Sequence, residues 1–238
     1  MAIAGVRALL FDVFGTVVDW RGSVIRAGAA LTERTGADVD WPAFADRWRR
    51  EGYLAPIGRI VAREEPWRDV DSLLQAQFDV LASDVGFLDL PDAELAPLRS
   101  IWSELDPWRD SVEGLLRLRR SFVVAPLSNG GFAQLTTMAK RAGLPWDCII
   151  STELFGTYKP DPAAYRGAAA LLGLPGDEVM LVAAHTGDLR AAQRAGLRAA
   201  YVPRPLEWGE GSPPPDEPDG SFDLVAGDFS ALADALGC

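Results

Sequence analysis

The sequence predicts an α/β protein: a doubly wound parallel sheet with an inserted all-helical cap. Three observations predict it. Short, continuous apolar runs at 7–14, 121–127, 148–150, 179–184 and 199–202 have the pattern of strands buried on both faces. Beyond Trp108 these runs alternate with amphipathic helical stretches, the signature of parallel strands joined by crossover helices. Between the first run and this alternation, residues 19–105 show helical spacing and almost no strand signal.

Taken in order, the first strand spans 7–14, and Asp12 interrupts its apolar run VRALLFDVFGT. Helical spacing follows at 22–36, 42–52, 54–64, 70–84 and 92–104; Phe44, Ala45 and Trp48 mark one apolar face of the second. Residues 110–119 read as a helix, SFVVAPL (121–127) as a strand, 131–142 as a helix and CII (148–150) as a short strand. PAAYRGAAALLG (162–173) is helical, VMLVAA (179–184) a strand, and 188–196 a helix stopped by Gly196. AAYV (199–202) is a strand. A Pro/Gly-rich acidic loop spans about 203–221, FDLVAG holds a last short strand, and a helix begins near 229. The expected division is a core of 1–18 and 106–238 with a helical cap of 19–105.

The 238 residues are enough for one large domain or a core plus an insert, and the 48% apolar content is that of an ordinary globular protein. A formal net charge of −11 argues against nucleic acid or an anionic membrane as partner. A small anionic substrate is still allowed, because a local basic pocket outweighs the global field. No stretch reaches the ~18–20 apolar residues of a membrane span. The apolar N-terminus lacks a basic leader and reads as a buried strand rather than a signal peptide. Cys148 and Cys238 form neither a disulfide framework nor a metal pattern, so a reducing, cytoplasmic setting is expected.

Four motifs each follow a predicted strand, and in a parallel sheet they converge on its carboxyl edge. Asp12 and Thr16 follow the first; Ser128, Asn129 and the Gly130–Gly131 pair follow the second. Lys159 follows the third, and His185 and Asp188 follow VMLVAA. A carboxylate at a strand tip, followed by Gly15, is well placed to act as a nucleophile. Phe14 occupies the next same-facing position, and an aromatic ring there neither protonates a leaving group nor supplies a carboxylate to a cation. A leaving group that needs no proton, such as a halide, is the natural candidate. The helical insert would shield the site from water.

The set DVFGT, LSNG, KPDPAAY and VAAHTGD resembles the haloacid dehalogenase superfamily across nearly the whole chain, and implies its Rossmann-like core. Phosphatases of that superfamily carry DxD in the first motif and an aspartate pair in the last. Here Phe14 and Ala184 stand where carboxylates would be, so the metal site has lost oxygen ligands. The pattern is closer to the L-2-haloacid dehalogenases. The resemblance implies metal-independent, cofactor-free hydrolysis of short 2-haloalkanoic acids, preferably the L enantiomer. Inversion would proceed through an ester on Asp12.

It also implies roles. Lys159 partners Asp12. Asp188 orients Lys159 or the hydrolytic water. Ser128 and Asn129 offer donors to the substrate carboxylate or the halide. Thr16 bonds Asp12 or the substrate, Phe14 lines the halide site, Arg49 binds halide, and Tyr165 lines the site. A homodimer is implied as well. His185, the only histidine, either activates the water or is a structural hydrogen-bond partner. Two other readings stand beside the dehalogenase: a phosphatase of unusual metal dependence, and a non-catalytic binding protein on the same fold.

Overall fold

The computed structural model describes residues 5–212, 218 and 220–238. The first strand, β1 (Ala8–Phe11), is fully buried and lies between two parallel partners. Both faces of it are apolar: Leu9 and Phe11 join one core cluster, Ala8 and Leu10 the other. Period-two side-chain alternation thus feeds two hydrophobic layers, which is why the run reads as continuous. The expected strand 7–14 is shorter than expected, because the chain leaves the ladder at Asp12.

After β2 (Val18–Asp19) comes a run of helices: α1 (Trp20–Thr35), α2 (Trp41–Arg49), a π turn at Arg50–Leu54, α3 (Ala55–Val61), α4 (Val70–Asp84) and α5 (Asp92–Arg99). Asp19, Asp40 and Asp69 cap α1, α2 and α4 by accepting backbone N–H bonds. The stretches expected as separate helices at 42–52 and 54–64 are one helical run from 41 to 61, fused through the π turn. The helix expected at 92–104 stops at Arg99 and continues only as a tight turn at Ile101–Ser103. β3 (Asp106–Pro107) then pairs antiparallel with β2, a ribbon too short to leave a periodic signal in the sequence.

The remaining elements alternate: α6 (Ser111–Leu118), β4 (Val123–Ser128), α7 (Phe132–Ala142), β5 (Ile150–Ser151), α8 (Pro162–Leu171), β6 (Val179–Ala183), α9 (Thr186–Arg194), β7 (Arg198–Tyr201), β8 (Leu224–Val225) and α10 (Phe229–Leu236). The six-stranded sheet has the order β5-β4-β1-β6-β7-β8, and every pair in it is parallel. The chain runs outward from β1 through β4 and β5, then returns to β1's other side with β6. That reversal opens a crevice at the carboxyl ends of β1, β4 and β6. The acidic loop expected at 203–221 lies partly outside the described residues. Among the described residues no helix is long and apolar enough to cross a membrane.

Candidate active site

Asp12 sits at the tip of β1, its N–H still donating to Val182 O at 3.0 Å. Gly15 (φ 89°) turns the chain back immediately, a left-handed conformation that glycine adopts without strain. Three donors converge on the Asp12 carboxylate. Lys159 Nζ lies 2.8 Å from Oδ1; Thr16 Oγ1 lies 2.7 Å and His185 Nδ1 3.0 Å from Oδ2. Thr16 Oγ1 also accepts from Ala184 N at 3.0 Å, so one hydroxyl ties the loop after β1 to the loop after β6. Burial pushes the Asp12 carboxyl up, but the charges and hydrogen bonds of Lys159 and His185 outweigh it. The carboxyl is held far below the usual carboxylate range.

Lys159 is buried and shared. Its ammonium also bonds Asp188 Oδ2 at 2.6 Å, and Tyr165 donates to Asp188 Oδ1 at 2.6 Å. Desolvation would lower the lysine's pKa, yet the Asp12 and Asp188 carboxylates raise it above its ordinary value. The ammonium therefore fills the space between the two acids. Among the described residues no group of three or more His, Cys, Asp or Glu side chains could hold a metal ion.

Asn129 acts on the lysine's backbone. Its Oδ1 accepts from Lys159 N at 2.7 Å, and its Nδ2 donates to Lys159 O at 3.2 Å. One amide hydrogen remains for a ligand. Ser128 is fully buried, and its Oγ accepts from Gly130 N at 3.1 Å.

Arg49, at the end of α2, reaches into the same place from the helical insert. It is only 5% exposed, and its Nε and Nη1 are buried without a hydrogen-bond partner. The guanidinium lies 4.0 Å from the Tyr53 ring centroid and 5.5 Å from those of Phe14 and Trp20. A buried cation with unmet donors inside an aromatic cage is costly unless an anion completes it. Phe14 forms the floor of that cage, packed edge-on against Tyr53 and Trp102.

A cavity of about 340 Å³ connects these groups. Asp12, Arg49, Asn129, Lys159, His185 and Asp188 line it, together with Tyr53, Leu54 and Arg194. Of the residues expected at the site, Ser128, Thr16, Phe14 and Tyr165 do not line this cavity. Thr16 and Tyr165 stand one hydrogen bond behind Asp12 and Asp188, and Phe14 stands behind Arg49.

Sequence reasoning missed Glu207. His185 Nε2 lies 2.9 Å from Glu207 Oε2, and Trp20 Nε1 donates to Glu207 Oε1 at 3.0 Å. Burial lowers the histidine's pKa, but the Glu207 charge and the bonds to both carboxylates raise it to about 10. Glu207 itself would be raised by burial and is lowered by His185. A signal for it existed: its loop leaves the carboxyl end of a strand parallel to the other motif strands. Arg194 at the cavity mouth and Tyr53 in the cage were also missed, because helix periodicity gives no hint that a residue faces a pocket.

Known proteins place this geometry. Residues 6–196 match a family model described as haloacid dehalogenase-like hydrolase. A crystallised L-2-haloacid dehalogenase is 42% identical with a TM-score of 0.92, covering 98% of this chain and 99% of that one. A crystallised defluorinating L-2-haloacid dehalogenase is also 42% identical with a TM-score of 0.92, covering 98% and 96%. The (S)-2-haloacid dehalogenase 4A of Burkholderia cepacia is 28% identical over 219 residues, 89% of this chain and 87% of that protein. A strand-tip aspartate clamped by a lysine, an aromatic in place of a second acid and a family match over most of the chain agree: the protein belongs to the haloacid dehalogenase-like hydrolases, in their L-2-haloacid dehalogenase group.

Proposed function

We propose that the protein hydrolyses the carbon–halogen bond of short 2-haloalkanoic acids, preferring the L enantiomer, to give 2-hydroxyacids with inversion. Asp12 attacks C2 and expels halide, forming an aspartyl ester; water then attacks the ester carbonyl, so the oxygen delivered to product comes from Asp12. Lys159 keeps the nucleophile ionised and in place. Asp188, backed by Tyr165, orients Lys159. Thr16 fixes the second carboxylate oxygen, and Asn129, clamped onto Lys159, turns its remaining amide hydrogen toward the cavity. Arg49 receives the departing halide inside its aromatic cage, with Phe14 as the floor. Ser128 shapes the turn that presents Asn129.

The observation that carries this reading is the pairing of an ionised, lysine-held carboxylate with a buried guanidinium whose Nε and Nη1 have no partner. The first supplies a nucleophile, and the second supplies a seat for an anionic leaving group. No carboxylic acid stands at position 14 to protonate an alkoxide, so a phosphate ester is poorly served. No metal enters the reaction: Phe14 and Ala184 offer a cation no carboxylate, and the Lys159 ammonium already sits between Asp12 and Asp188.

Residues 1–18 and 106–238 form the catalytic core, and 19–105 the cap that brings Arg49. The enzyme acts in the cytoplasm as a homodimer. The test is halide release from L-2-chloropropionate with EDTA present. Release at the untreated rate, abolished in Asp12→Asn, supports the reading. Loss on chelation with recovery on Mg²⁺ addition overturns it.

A further inference from the structure

The two oxygens of Asp12 are not equivalent. Oδ2 takes two hydrogen bonds, from Thr16 and His185; Oδ1 takes one, from Lys159. The less encumbered Oδ1 has a lone pair to spend on the halogen-bearing carbon, which leaves Oδ2 as the ester carbonyl oxygen. Its two donors already lie 2.7 and 3.0 Å away, at the atom where negative charge develops when water adds.

His185 sits between acceptors on both sides. A carboxylate only accepts, so contacts of 3.0 Å to Asp12 and 2.9 Å to Glu207 are both hydrogen bonds only when the ring carries two protons. Glu207 is built for that task. It is buried, its other oxygen is anchored by the Trp20 indole, and it lies against Gly15, where a Cβ would come within 2.1 Å of Oε1. Glycine at that position therefore makes room for the carboxylate as well as for the turn.

We propose that Glu207 is a positioning residue that keeps His185 doubly protonated, so that His185 and Thr16 form the oxyanion hole for hydrolysis of the Asp12 ester. This rests on the dehalogenation reading above and sets His185 apart from a water-activating base. Asp12 loses its charge on alkylation, but Glu207 keeps its own. The other charged groups around the ring are Lys159, bound to Asp12; Asp188, on the histidine's own helix; and Arg49, whose charge lowers the pKa of Glu207. The balance of Glu207 and Asp12 against burial places the free-enzyme imidazolium pKa at about 10.

In the proposed step water adds to the ester carbonyl carbon, and the carbonyl π pair moves onto Oδ2, held by the His185 and Thr16 donors. Collapse restores that carbonyl and breaks the bond from the carbonyl carbon to Oδ1, releasing the product alkoxide. Lys159, beside Oδ1, gives the alkoxide a proton and regains one from the added water; the second water proton leaves to solvent. His185 gives up neither of its protons.

His185 is the only histidine of the chain, so its ring nitrogens can be followed in the intact enzyme by ¹⁵N NMR without ambiguity. Enzyme is mixed with L-2-chloropropionate, the halide burst is recorded, and decay of the Asp12 ester is followed by mass spectrometry from about pH 6 to about pH 11, bracketing the imidazole range. Absence of any halide release would mean that the dehalogenation reading itself has failed. Given a burst, ester decay should slow as the ring loses its second proton. Glu207→Gln should move the ring titration and the slowing to lower pH together, with ester decay roughly 10²-fold slower at alkaline pH. Glu207→Asp should move both back toward the wild type. Ester decay that speeds up as the wild-type ring deprotonates makes His185 a base and overturns the proposal. So does a Glu207→Gln enzyme whose ring titration and ester lifetime are unchanged. If Glu207→Gln does not fold, the wild-type titration and Glu207→Asp decide on the same criteria.

Discussion

Lys159 puts one ammonium within reach of two carboxylates, and its removal has a calculable sign. Burial is the largest influence on Asp12 and acts to raise its pKa; Lys159 is the largest influence lowering it. In Lys159→Gln the first is left less opposed, so the acid limb of the kcat/KM profile should move to higher pH, as initial rates across the acid range would show. Arg49 makes a different prediction. Losing one aimed charge typically costs ~10²–10³-fold, so Arg49→Met should slow the halide burst by that order in stopped-flow. The same substitution should leave the melting temperature unchanged or raise it, because it replaces a buried guanidinium with unmet donors by an apolar chain among aromatic rings. At this scale the sequence showed a great deal. Asp12, Lys159, Asp188 and His185 were legible because each follows a strand, and a parallel sheet gathers strand ends. Asn129's grip on the Lys159 backbone was not legible, since nothing in LSNG says whether the amide faces a ligand or a neighbouring loop.

Elements were legible in proportion to their length. The buried runs of β1, β4, β6 and β7 and the amphipathic α4, α7 and α8 stood out by period. The two-residue strands β2 and β3 did not, because pairing so short is set by the tertiary fold. Glu207 was hidden for a related reason: its loop has no period, and only the direction of β7 points it at the site. Close approach of elements is equally invisible in sequence. Gly114 on α6 faces Phe229 at the start of α10, and a Cβ there would lie 2.4 Å from the Phe229 Cβ and 3.0 Å from its carbonyl carbon. Since backbone cannot swing aside, Gly114→Ala should force α6 and α10 apart and destabilise by ~1–3 kcal/mol in urea unfolding, despite alanine's better helix propensity.

Across the whole molecule, the proposed nucleophile and the proposed halide seat come from different layers. Asp12 belongs to the sheet edge, whereas Arg49, Tyr53 and Leu54 come from the helical insert, and all four line the same cavity. The proposed direct displacement by Asp12 inverts the attacked carbon. L-2-chloropropionate should therefore give D-lactate, and chiral chromatography of the product would show retention or a racemate if displacement were not direct. The balance of charge follows the same division. A chain of net charge −11 still offers an anion the buried Arg49 and, at the mouth, Arg194, so global repulsion and local attraction coexist.

The π turn at Arg50–Leu54 has one further consequence. Ala55 N–H reaches back five residues to the Arg50 carbonyl, so this stretch holds one residue more than a regular helix would need. Deleting one residue would let the run from α2 to α3 close into an unbroken α-helix with its two ends kept in phase, so the loss would fall on the turn itself. One of the turn's side chains, which include Tyr53 over the guanidinium and Leu54 on the cavity wall, would lose its position. A feature of this kind is written into a gene by a change of length and not by any exchange of one amino acid for another. Relatives that lack the extra codon should differ in how they wall this cavity, however similar their motifs.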